Sequence, residues 1–103
     1  MNIEVLHIDG CPSTDIAVAG VREAVASLGL DAPVATRLLR TPEDAAAAAF
    51  AGSPTILVDG EDLFPSDGRT GRLACRVYPT DAGLRGAPTA DQITAALRQL
   101  PGR

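Results

Sequence analysis

Cys11 is the residue of this chain best placed to do chemistry. It follows an apolar run, Ile3 to Ile8, and an Asp9-Gly10 turn, and it stands directly before Pro12 and a helix-like pattern. Proline suits the first helical position, because its missing N–H is one of the donors that a helix start leaves unpaired and its φ already matches the helix. Cys11 is therefore expected at the N-cap, where unpaired N–H groups and the positive end of the helix dipole favour a thiolate over a thiol. The same residue also reads as a small buried side chain that closes a strand. The second cysteine, Cys75, lies in Leu73-Ala74-Cys75-Arg76-Val77-Tyr78. Arg72 and Arg76 flank it, either as charges that lower its pKa or as one solvated face. His7, inside the first apolar run, reads as a partly buried strand residue, and Asp9 as a turn residue. One histidine and two cysteines cannot complete a structural zinc site without carboxylates, so neither metal nor cofactor is expected.

Composition narrows the partners. A net charge of −4 with no basic run argues against a nucleic-acid or anionic-membrane surface, both of which need clustered positive charge. No run approaches the roughly 18 apolar residues of a membrane span, and the first residues lack a basic segment followed by a long apolar one, so a cytoplasmic protein is expected. In a reducing compartment two cysteines are more often catalytic, redox-active or metal-binding than a structural staple. At 103 residues the chain is expected to be one domain, 1–103. Aromatic residues make up only 3% of it, so the core must be built from Val, Leu, Ile and Ala.

These chemical groups need elements to position them. Residues 2–8 read as a strand nearly all apolar after Glu4, covered on both faces. Ala17, Val21, Ala24, Val25 and Leu28 recur at helical spacing between Pro12 and Leu28, and Gly29 is a stop signal. A second strand is expected from Pro33 to about Arg40. Thr41-Pro42-Glu43-Asp44 starts a second helix, which the alanine run carries to Ala51. Ile56-Leu57-Val58, the Asp59-Gly60 turn and Glu61-Asp62-Leu63-Phe64 predict a β-hairpin. Residues 65–87 form a long Gly-, Asp-, Arg- and Pro-rich insertion, the kind of segment that carries function. Thr89 and Gln92 make a capping box for a last helix with Ile93, Ala96, Leu97 and Leu100 on one face. The expected order is β-α-β-α-β-β-α, an α/β three-layer sandwich with an insertion before the last helix and the first two strands parallel.

Two motifs around this element string resemble the thioredoxin-like family: Cys11-Pro12-Ser13-Thr14 after the first strand, and Gly52-Ser53-Pro54-Thr55-Ile56 before the hairpin. The resemblance implies that the cysteine motif opens the first helix, and that Pro54 follows a cis peptide bond and lies beside the reactive sulfur. Ser13-Thr14 stands where a dithiol enzyme has its second cysteine, so this is a one-thiol motif. A hydroxyl at position 14 is similar to single-cysteine glutaredoxin-like proteins, but their Arg/Lys pattern for glutathione is not evident. The chain also resembles short bacterial thioredoxin-like proteins labelled as alkylmercury lyases. The family reading implies thiol–disulfide chemistry: Cys11 attacks, Cys75 resolves the mixed disulfide, Pro54 shapes the groove, and the partner is a protein or small-molecule thiol or disulfide. The alternatives are Hg(II) or organomercurial handling by Cys11, Cys75 and Asp9, and a non-catalytic binding module. Cys75 is expected within disulfide reach of Cys11 in one accessible state, the insertion's glycines letting it fold back over the helix start. In the competing picture Leu73, Val77 and Tyr78 form an extra strand or flap that buries Cys75.

Overall fold

Strand β1 (Ile3–Ile8) is an inner strand of the sheet, and Cys11 follows it by one turn. The computed structural model describes residues 1–66 and 72–100. In it β1 pairs in parallel with β2 (Val34–Leu39) and antiparallel with β3 (Thr55–Val58). Strand β3 in turn pairs antiparallel with β4 (Glu61–Asp62), so the mixed sheet runs β2-β1-β3-β4. The β1–β2 crossover is helix α1 (Thr14–Ser27), which makes the parallel pairing possible. Asp59 and Gly60 have φ of 51° and 87°, the two left-handed positions of a tight hairpin turn.

Alternation along the strands divides the core. Ile3, Val5, Ile56 and Val58 face α1 and α3 (Ala90–Arg98), packing on Val21, Ala24, Ile93 and Leu97. Leu6, Leu39 and Leu57 face the other way, onto Ala45 of α2 (Pro42–Ala47) and onto Phe50. Three layers result: two helices, the sheet, and one helix among the described residues. The Thr89–Gln92 capping box is formed in both directions.

Helix α2 is shorter than its alanine run predicts. Ala48 leaves the helix in an extended conformation (φ −98°, ψ 162°), and the chain then carries Phe50 fully into the core. Burial of the one large side chain in the segment outweighs alanine's preference for helix, worth a few tenths of a kcal/mol per residue. The expected second hairpin strand is likewise trimmed to Glu61–Asp62, although the Leu63 N–H still donates to the Ile56 carbonyl.

The insertion has structure of its own. Tyr78–Thr80 (β5) and Gly83–Arg85 (β6) make a separate antiparallel hairpin. Tyr78 is buried, as the competing picture requires, but Cys75 is exposed, so the extra strand does not turn this thiol into a core residue. The glycines of 67–71, on which the fold-back expectation draws, lie outside the described residues.

Candidate functional site

At the end of β1, Gly10 takes φ +74° and turns the chain into Cys11. The Cys11 N–H donates to the Ile8 carbonyl and the Thr14 N–H to the Cys11 carbonyl, both at 3.4 Å, so residues 11–14 form a turn rather than a helix. The first α-helical bond runs from the Ala17 N–H to the Ser13 carbonyl, and Ser13 is the N-cap. Cys11 is thus not the N-cap and Pro12 is not the first helical residue. The proline sits two residues before the first helical position because its fixed φ suits the second position of a turn as well as a helix start.

The turn keeps the expected electrostatics by another route. Burial pushes the Cys11 thiol up, but hydrogen bonds to the sulfur from the Ser53 and Thr14 hydroxyls and from the Ser13 and Thr14 N–H groups outweigh it. The Cys11 pKa lies below the ordinary thiol value as a result.

Ser53 reaches Cys11 because the loop before β3 is pinned on every side. Its Oγ accepts from the Ile8 N–H at 3.2 Å, tying the loop to the end of β1. Thr55 Oγ1 donates to the Gly52 carbonyl at 2.6 Å and accepts from the Ala51 N–H at 3.1 Å. The Ser53–Pro54 bond is cis, and both residues are buried. Ser53 and Thr14 belong to the two motifs singled out in the sequence, yet nothing in the pattern marked their hydroxyls as thiolate donors; adjacency to Pro54 and Cys11 was the available signal.

Ser53 is also where the second cysteine enters. Its N–H donates to the Ala74 carbonyl at 2.8 Å and its carbonyl accepts from the Arg76 N–H at 3.0 Å, a parallel bridge that sets Cys75 opposite Ser53. Both cysteines therefore adjoin one residue. Both are free thiols, however, and they open into different spaces. Cys11 lines a hollow of about 250 Å³ with His7, Asp9, Thr14 and Asp15. Cys75 lines a groove of about 870 Å³ with Phe64, Tyr78, Gln92 and Ala96. The groove is larger and more apolar, and the thiol with the lowered pKa lies in the hollow.

Arg76 is neither a solvated charge nor a neighbour aimed at Cys75. Its guanidinium pairs with Asp62 at 2.8 Å, donates to the Phe64 carbonyl, and lies 4.5 Å from the centre of the Tyr78 ring. Tyr78, edge-on to Phe64, donates its hydroxyl to the Pro54 carbonyl, and burial raises its pKa. Arg72 is exposed, as are Asp9 and Asp15, while His7 is partly buried. Among the described residues no three His, Cys, Asp or Glu side chains come together to hold a metal ion, so Cys11, Cys75 and Asp9 are not assembled as a ligand set. No helix among the described residues is long and apolar enough to cross a membrane. No protein-family model, curated protein or solved structure matches the chain.

Proposed function

We propose that the chain is a thioredoxin-like thiol redox protein that works through Cys11. One observation carries the reading: a partly exposed free cysteine in the turn from β1 into α1, joined through Ile8 to Ser53 and its cis bond to Pro54; its lowered pKa agrees with that role. The strand order, the parallel β1–β2 pair and the cis bond before Pro54 support the thioredoxin-like part of it.

The chemistry is exchange. The Cys11 thiolate attacks one sulfur of a disulfide, the S–S bond breaks, and one thiolate leaves and takes a proton from water. Cys75 then attacks the Cys11 sulfur of the mixed disulfide and expels the second thiolate. The protein loses two electrons and two protons, and the substrate disulfide becomes two thiols. Cys75 is the reading's resolving thiol because its backbone is paired to Ser53, whose hydroxyl is tied to the end of β1. Such a cycle suits the cytoplasm, where thiols are kept reduced.

The test is the rate of Cys11 carboxamidomethylation against pH, with Cys11→Ser as control, followed by peptide mapping after mild oxidation. The expected results are a midpoint below the roughly 8.5 of a free thiol and a Cys11–Cys75 peptide. A midpoint at or above that value removes the nucleophile. Oxidation of Cys11 without a Cys75 partner removes the resolving role alone.

A further inference from the structure

We propose that Cys11 serves a small disulfide bearing amine groups, and that the chain's own insertion keeps polypeptide disulfides away from it. This inference rests on the thiol redox reading. An extended polypeptide docks beside a reactive group by adding its backbone to an unpaired edge. Next to Cys11 that edge is Ser53: its hydroxyl accepts from the Ile8 N–H, and the Ile8 carbonyl accepts from the Cys11 N–H. Both of its peptide groups are already taken, the N–H by the Ala74 carbonyl and the carbonyl by the Arg76 N–H. Cys75 stands where a residue of a docked peptide would stand.

The strap formed by residues 74–76 is fastened. Arg76 anchors it through the Asp62 pair and the Phe64 carbonyl, with 9% of its side chain exposed. At Gly52 the strap approaches so closely that a Cβ there would lie 2.8 Å from the Arg76 Cβ. A second part of the insertion covers the other flank: a Cβ on Gly86 would lie 2.1 Å from Ser13 Oγ.

What stays open is the hollow between the end of β1 and the start of α1. It is an open depression of about 250 Å³, ample for a small disulfide such as cystamine. Besides Cys11, its titratable walls are Asp9, Asp15 and His7, and among the described residues no arginine lines it; Arg40 lies in the adjoining depression, with Asp9, Leu38 and Leu73. Two exposed carboxylates at the mouth, on a chain of net charge −4, attract amines and repel carboxylates. The first step is thiolate attack on an aminothiol disulfide: one S–S bond breaks, one aminothiol leaves and is protonated by water, and the other stays on Cys11 until Cys75 expels it.

The experiment offers the reduced full-length protein three oxidants, cystamine, glutathione disulfide and insulin, and follows the Cys11 peptide by quenched mass spectrometry, and insulin by its reduction. Cystamine is expected to load Cys11 about tenfold faster than glutathione disulfide at low salt, the ratio falling with ionic strength and in an Asp9→Asn, Asp15→Asn variant. Insulin is expected to be reduced no faster than by Cys11→Ser. Asp62→Asn, which loosens Arg76, should raise insulin reduction more than cystamine loading. Insulin reduced as readily as cystamine, or glutathione disulfide loading as fast as cystamine, overturns the proposal and leaves the redox reading standing. A Cys11 no more reactive toward all three than in the urea-unfolded chain overturns the redox reading, and this proposal with it.

Discussion

Replacing Arg76 by alanine tests the structural premise of the site, that residues 74–76 are held rather than draped. The Arg76 and Asp62 side chains are 9% and 16% exposed and meet at 2.8 Å, so solvent screening is weak. Truncating one partner of such a pair leaves the other charge uncompensated and costs about 3–5 kcal/mol. The lost donor to the Phe64 carbonyl and the lost stacking on Tyr78 overlap with that figure rather than adding to it in full. About 4 kcal/mol is then expected, a large share of the roughly 5–15 kcal/mol that holds a domain folded, and a fall in Tm on the order of 20 °C. Urea unfolding by linear extrapolation reads it directly. Arg76→Met with Asp62→Leu should recover most of the loss, because an apolar pair of similar volume needs no desolvation of charge. A loss below about 1 kcal/mol for Arg76→Ala, the value of an exposed pair, refutes the anchoring argument.

Ser53→Ala removes the first of the donors to the Cys11 sulfur and orphans the Ile8 N–H, so the Cys11 pKa should rise and stability fall by about 1–3 kcal/mol; alkylation against pH and urea unfolding check the two parts. Gly52→Ala, at φ +107° and against the Arg76 backbone, should destabilise by at least about 2 kcal/mol in the same unfolding assay. For pH, the folded Cys11 pKa is below its unfolded value, so its contribution is fully present above about pH 8.5 and is lost as pH falls through the folded value. The stability gap between the wild-type protein and Cys11→Ala should therefore widen from pH 6 to about pH 9. Tyr78 has the opposite sign, its contribution lost as pH rises above about 10, but it is common to both proteins and cancels.

What the sequence made legible follows from how local each signal is. Helices α1 and α3 and strands β1 to β3 declare themselves through periodicity, caps and the Asp59-Gly60 turn, each readable within a dozen residues. Helix α2 was overrun because alanine propensity says nothing about Phe50, whose burial depends on Leu6 and Leu57 on distant strands. The β5–β6 hairpin was not legible for the reverse reason: Tyr78-Pro79-Thr80 is short and carries a proline, and it is a strand only because Gly83–Arg85 answers it. The site divides along the same line. Cys11 is visible from its turn and helix context, although the helix begins two residues later than a proline at the first helical position implies.

The bridge between Ser53 and Cys75 leaves no local trace, since it joins residues 22 positions apart across an insertion without a periodic signal. Arg76 is misread by any rule that sends arginines to solvent, because its burial is set by Asp62, Phe64 and Tyr78 together. These non-local contacts have a common effect on the chemistry. They fill the backbone edge at Ser53 with the protein's own chain and leave Cys11 lining the hollow walled by Asp9 and Asp15. On the proposed redox reading, the cysteine motif alone indicates that a thiolate is available, and the pairing of residues 74–76 with Ser53 decides what can approach it.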